Sequence, residues 1–342
     1  MPVKWSWSFG PETAAQLNDD MGWNCSTDPN RIEPRTTYTF TYSGSAPRYS
    51  LATDANQNVT LPANTYSPEG WFSVPLYSDA TAFSVFSSNL LNVRGNASGR
   101  NIYAFQNGTS LRLYVDNVLK ETTTALDLFD QWNYFSLKYT MTGSDWGGQI
   151  YVNGSPVTSF HQDAQSAEVG GALSFASRGD GDRVNYFGQI ILHDSMADSG
   201  EVIRYVTRVQ PTVDTSENGT WDPSVGSDNY KVLSGSFDKA TYTRCAPSNA
   251  GNNVICQAQN LATQIGTPVT SIDGITIHTY SSGTGQSAFA ALSDNNSTYA
   301  NGTSVVPAFG DTTYAYATSG SQPSNGSPWT GASNLYLKYE LS

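Results

Sequence analysis

Across residues 131–160 the side chains divide into two alternating sets. Trp132, Tyr134, Ser136 and Lys138 fall on one side of an extended backbone, and Asn133, Phe135, Leu137 and Tyr139 fall on the other. Aromatic rings in both sets predict a strand covered on part of each face. The polar turn Thr142-Gly143-Ser144-Asp145 leads through Gly147-Gly148 into a second strand, Gln149-Ile150-Tyr151-Val152. Asn153-Gly154 then reverses the chain into Pro156-Val157-Thr158-Ser159-Phe160. Asn-Gly tolerates positive φ at both central positions of a type I′ hairpin, so the stretch reads as a three-stranded antiparallel meander.

The same period of two predicts strands over residues 2–9, 36–42, 66–77, 82–93, 173–176 and 184–192. A second hairpin is expected where Ile102-Tyr103-Ala104-Phe105 and Leu111-Arg112-Leu113-Tyr114-Val115 flank an Asn107-Gly108 turn. Residues 10–30 read as irregular and polar. One stretch, 201–208, has a helical period, with Val202, Ile203 and Val206 sharing a face, and predicts a short helix. Residues 209–215, with Pro211 among polar neighbours, read as an inter-domain linker. Beyond it Ser, Asn, Gly and Thr dominate, with short apolar clusters at 230–233, 269–280, 314–317 and 335–341. The pattern predicts an all-β protein of two domains, a larger one over 1–209 and a smaller β-sandwich over 210–342, melting separately.

Composition supports that division. A chain of 342 residues is long enough for two cores. Only 13% of it is charged, and the net charge of −12 argues against a nucleic-acid backbone, whose contact needs clustered Lys and Arg. The first nine residues read as a strand and not as a secretion signal, and no run approaches the ~20 apolar residues of a membrane span. A soluble product of a cytosol, without membrane insertion, is therefore expected. Cys25, Cys245 and Cys256 are an odd number without metal spacing; Cys245 and Cys256 are open to bridging, but free buried thiols are the expected state.

Two resemblances rest on particular residues. Trp132 opening a strand, the Gly-rich turn and Ile150-Tyr151-Val152-Asn153-Gly154, followed by Gly188-Gln189-Ile190-Ile191-Leu192-His193-Asp194, resemble the laminin-G-like, concanavalin-A-like jelly-roll domains over residues 1–205. That likeness implies a jelly-roll sandwich, a fold that serves sugar binding, protein binding, glycan hydrolysis and assembly alike. Asn218-Gly219-Thr220-Trp221-Asp222-Pro223-Ser224 with Gly226 and Asp228-Asn229-Tyr230 is similar to a segment of tailed-bacteriophage virion proteins. Phe237-Asp238, Thr241-Tyr242, Thr312-Thr313-Tyr314-Ala315-Tyr316 and Pro328-Trp329-Thr330 continue the likeness to residue 342. It implies a tail fibre, adhesin or capsid appendage located in a virion. Its partners would be other virion proteins, copies of itself and host surface glycans.

Candidate chemistry is sparse. His161, His193 and His278 lie in unrelated strands, and neither a nucleophile elbow nor the E-x-D-x-E run of jelly-roll glucanases is present, so no enzymatic activity is expected. Gly283-Thr284-Gly285-Gln286-Ser287-Ala288 fits G-x-G-x-x-A but lacks the following helix, and reads as a turn. Asp180 and Asp182, on a Gly-rich loop, are the candidate metal ligands, with calcium the cation their oxygens suit. The preferred reading is a solvated turn in which Arg178 and Arg183 pair those acids, and no cofactor is expected. Trp71, Trp132 and Tyr134 suit either a sandwich core or a sugar-stacking surface, with the core preferred. The sequence thus favours a non-enzymatic virion component, with a carbohydrate-binding lectin module as the alternative.

Overall fold

The computed structural model describes residues 3–9, 12–19, 21–25, 32–36, 50–53, 57–62, 67–78, 87–95, 100–142, 145–163, 171–177, 185–193, 203–206, 208–233, 242–246, 249–259, 261–265, 272–283, 285–307 and 313–342. The meander forms as its alternation dictates. Trp132–Thr142, Asp145–Val152 and Ser155–Asp163 pair antiparallel in sequence order. Asn153 and Gly154 both take positive φ, 51° and 82°, as a type I′ turn requires.

Glu69–Ser78 pairs with the open side of Trp132–Thr142 and extends the first sheet. Asn185–Phe187, Ser50–Thr53 and Ile32–Arg35 continue it, while Gln189–His193 joins Val3–Ser8 to Glu69–Ser78. The second sheet runs Val118–Thr122, Ser110–Val115, Asn101–Asn107, Ser87–Gly95, Gly171–Ser177, Gln57–Thr60 and Asn24–Cys25. One core lies between the two sheets. Phe72, Val74, Leu76, Phe135, Leu137, Tyr139 and Ile150 fill it from the first sheet, and Val93, Ile102, Ala104, Leu111, Leu113 and Phe175 fill it from the second. An all-β sandwich over the first half is thereby shown.

Gly147 and Gly148 sit inside a strand, not in the turn before it. Neither position has room for a side chain: a Cβ on Gly147 would stand 2.6 Å from the Phe160 carbonyl oxygen on the adjacent strand, and one on Gly148 would stand 2.9 Å from Ile102 Cγ2 of the second sheet. That oxygen belongs to backbone and cannot swing aside. Gly147→Ala should therefore lower stability by about 1–3 kcal/mol, read as a shifted denaturant midpoint.

The second half is smaller. Val213–Asn218, Asn253–Ala258, Leu335–Leu341, Ala288–Ser293 and Ala300–Asn301 make a five-stranded sheet. Ile275–Ser281 and Thr313–Ser319 form a two-stranded ribbon that packs on it. Ala258, Leu261, Ala290, Leu292, Trp329 and Leu335 fill the space between, with Ala317, Ile275 and Ile277 meeting them from the ribbon.

Several sequence expectations need correction. Residues 10–30 hold a helix, Ala14–Asp19, and a short strand, Asn24–Cys25. The helix starts on a reciprocal cap in which Thr13 Oγ1 accepts from Gln16 N and Gln16 Oε1 accepts from Thr13 N. The described part of 201–208 is not helical. There the Gln189 side chain donates to the Arg204 carbonyl and accepts from Val206 N, at 2.5 and 2.6 Å, holding that backbone out of a helical turn. The stretch read as linker contains a paired strand, since Val213–Asn218 lies against Asn253–Ala258. The turn after Asn107 is centred one residue later than expected, on Gly108 and Thr109. Residues 37–42 and 82–86 of the expected strands lie outside the described residues.

Candidate functional site

Period-two alternation decides what each sheet shows to its outer side. In Asn101–Asn107 and Ser110–Val115 the even and odd positions respectively are buried, so Tyr103, Phe105, Arg112 and Tyr114 stand on the face turned away from the core. Tyr103 and Tyr114 are directly opposite in register. Their rings stack with centroids 4.7 Å apart and planes 3° from parallel, and Phe105 meets Tyr114 edge-on at 5.9 Å. Asn92 flanks Tyr103 on one side, and Leu119, 45% exposed, flanks Tyr114 on the other. The result is a row of side chains, Asn92–Tyr103–Tyr114–Leu119, across four strands. Both tyrosines are half-buried, and partial desolvation, helped by the neighbouring Tyr114, raises the Tyr103 phenol above its ordinary pKa. Asn92 Oδ1 and Arg112 Nε have no hydrogen-bond partner among the described residues.

The residues singled out from sequence are placed differently. Trp71 and Tyr134 are buried, at 3% and 2% exposure, but on the outer side of the first sheet and outside the main core. Lys138 lies over the Trp71 ring at 5.2 Å, and Tyr151 packs beside it at 5.1 Å. Trp132 is half-buried and meets Tyr77 edge-on at 5.9 Å, with Tyr186 on the far side of Tyr77. Trp132, expected in the sandwich core, is instead half-buried on the outer side of the first sheet, at the start of its strand.

The histidines occupy three separate environments. His161 pairs with Asp145 at 2.8 Å on an exposed strand, and His193 is buried in the first sheet. His278 is enclosed where the halves of the chain meet. Its Nε2 lies 2.8 Å from the Ser6 carbonyl, and its Nδ1 lies 2.9 Å from the Tyr314 hydroxyl, which accepts from Trp5 Nε1 at 2.6 Å. A carbonyl only accepts, so Nε2 carries the proton and Nδ1 accepts from Tyr314. The rings of Trp5 and Trp7 stand edge-on to the imidazole at 5.6 and 4.7 Å. Burial in this site, with the Arg208 charge adding a smaller push, draws the His278 pKa down to about 3. A neutral, fully bonded imidazole of this kind is a structural element.

Acidic groups show the same engagement. Glu12, 4% exposed, receives both Nη atoms of Arg208 at 2.6 and 3.0 Å, and Arg208 also donates to the Ser8 carbonyl. Asp214 accepts from Asn229 N and Tyr230 N, capping the helix Asn229–Leu233. Among the described residues no group of three or more His, Cys, Asp or Glu could hold a metal ion. Asp180 and Asp182 lie outside the described residues. All three cysteines are free thiols, and Cys256 Sγ faces Asp214 Oδ1 at 3.4 Å. Among the described residues, no helix is long and apolar enough to cross a membrane.

No family model and no curated protein matches the chain. Solved structures do. The carbohydrate-binding module CBM66 from Bacillus subtilis is 10% identical, with a TM-score of 0.34, over 51% of this chain and 95% of that one. The cellulose-induced protein Cip1 is 13% identical, with a TM-score of 0.38, over 51% and 92%. A Trypanosoma rangeli sialidase is 12% identical, with a TM-score of 0.39, over 57% of this chain and 31% of the sialidase. Likeness at this level carries no argument about what this chain binds, and nothing in these comparisons shows a virion protein.

The aromatic row on the second sheet was missed from sequence although its signal was present. Tyr103 and Phe105 alternate with Ile102 and Ala104, and Tyr114 alternates with Leu113 and Val115. One set is core; the other is a large aromatic surface facing out.

Proposed function

We propose that this chain is a non-catalytic carbohydrate-binding protein that lays sugar rings against Tyr103 and Tyr114. The observation that carries the reading is the stacked, half-exposed pair on an outer sheet face, flanked by Asn92 and Arg112 with polar atoms still to be matched. Aromatic bodies with polar tips supply apolar contact and hydroxyl hydrogen bonds in one surface, which is what a ring with an apolar face and a polar rim needs. Outside that face, the carboxylates of Glu12 and Asp214 are bound into the structure. The test is a glycan array with the purified chain. Binding to at least one glycan is expected, and Tyr103→Ala should weaken it about tenfold or more, as aromatic anchors at binding sites commonly do. Binding that ignores both Tyr103→Ala and Tyr114→Ala would remove this face from consideration. Release of reducing sugar by the wild-type chain would overturn the non-catalytic part.

A second reading, display of this module on a virus particle, is supported by the resemblance carried by Trp221, Asp222, Pro223 and Tyr230. Recovery of the chain in stoichiometric copies from purified particles would support it, and absence from them would end it.

A further inference from the structure

The face that carries Tyr103 and Tyr114 also carries two arginines. Arg112 stands on it two residues before Tyr114, with Phe105 opposite on one side and Thr122 on the other. Arg94 stands in the row beyond Asn92, with Asn101 and Ala172 opposite. Every cross-strand neighbour of the two arginines is neutral. Among the described residues neither guanidinium makes an ion pair; Asp116, at the turn beyond, faces Arg100 at 3.6 Å. In a chain of net charge −12 this is a local reversal of sign. Two strand spacings across and four residues along put the two arginine Cα atoms roughly 16 Å apart, with Tyr103 between their rows.

We propose that this face takes an anionic glycan chain, its carboxylate or sulfate-ester groups meeting Arg94 and Arg112 and its rings lying against Tyr103 and Tyr114. The inference rests on the carbohydrate reading above and adds the charge and extent of the ligand. A planar guanidinium fork matches a pair of anionic oxygens, and a half-buried arginine holds that match more firmly than a fully solvated one. The roughly 16 Å separation exceeds one ring, so a chain and not a single sugar reaches both cations. The acidity elsewhere opposes bulk polyanions at long range but is screened over about 8 Å at physiological ionic strength, leaving the local contact intact. It thereby selects for an anion that also presents rings to stack.

The experiment is affinity electrophoresis of the full chain through gels holding polygalacturonate, its neutral methyl ester, a sulfated galactan or a single-stranded oligonucleotide. Retardation by polygalacturonate or by the sulfated galactan, without retardation by the methyl ester, is the expected result. The two anionic gels distinguish carboxylate from sulfate. Arg94→Gln and Arg112→Gln should each weaken retardation about tenfold, and added salt should weaken the wild type. Arg94 is exposed and Arg112 half-exposed, and unchanged thermal melts confirm that the variants fold. Equal retardation by the methyl ester, with no effect of the arginine variants, overturns the inference and leaves the carbohydrate reading standing. Binding to no glycan in the gels or on the array removes both. Equal retardation by the oligonucleotide overturns the inference as a general affinity for polyanions.

Discussion

Trp5→Ala should lower stability by about 3–5 kcal/mol and disturb both halves of the chain in one unfolding transition. Trp5 is fully buried, stacks on Trp7 at 6.0 Å, meets Trp23 and His278, and donates its indole N–H to Tyr314. Removing it opens a cavity and withdraws the donor that the Tyr314 hydroxyl accepts. The ribbon to which Tyr314 belongs has apolar or aromatic residues on both faces. Ile275, Ile277 and Ala317 serve the second core, while His278, Tyr280, Tyr314 and Tyr316 serve the first half. Damage at Trp5 therefore reaches the second core through a shared wall. Differential scanning calorimetry reads the outcome. A lowered single peak is expected; an unchanged second-half transition would show that the wall transmits nothing. Trp5→Phe, which keeps most of the packing but loses the N–H, should fall between wild type and Trp5→Ala.

Stability should also fall as the solution is acidified from about pH 6.5 towards about pH 3, in a window set by His278. The folded His278 pKa, about 3, lies below the ordinary value of 6.5, so within that window the unfolded chain binds a proton that the folded chain does not. Stability is then full above the ordinary pKa and is lost on descent, by about 1.4 kcal/mol per unit of pKa difference. Protonation would place a second N–H against Tyr314, whose hydroxyl proton already points at that nitrogen. Carboxylates titrate in the lower part of the same range, so the variant His278→Gln isolates the effect. Its amide can donate to Ser6 and accept from Tyr314 without titrating. The melting temperature of His278→Gln should fall less than that of the wild type between pH 6.5 and 4. Parallel curves would exclude His278 as the source.

How much of this was legible in the sequence follows from the range of each interaction. The meander could be read because its determinants are local: Asn153-Gly154 fixes a turn, and alternation fixes two faces. The helix at Ala14–Asp19 also had a local signal, Thr13-Ala14-Ala15-Gln16, but without an apolar stripe it was easily passed over. The absence of a helix at 203–206 could not be read, since the side chain that sets that backbone, Gln189, is 15 to 17 residues away. The aromatic row on the second sheet was half legible: alternation gave the face, but only pairing shows that Tyr103 meets Tyr114. The His278 site lay beyond reach, because its partners Ser6 and Tyr314 are 272 and 36 residues distant.

That same separation bears on how the protein is made. Ser6 is bonded to Thr276, 270 residues later, and the indoles beside it are closed over by the same ribbon. At about 5–20 residues per second, a ribosome delivers the ribbon roughly 15–50 s after Trp5 and Trp7 emerge. The first sandwich is complete only once Gln189–His193 pairs with Val3–Ser8, and from then until the ribbon arrives its tryptophans lack that cover. Nascent chains on crowded polysomes are thus most prone to aggregate late in synthesis, and slowed translation between the two halves lengthens the hazard.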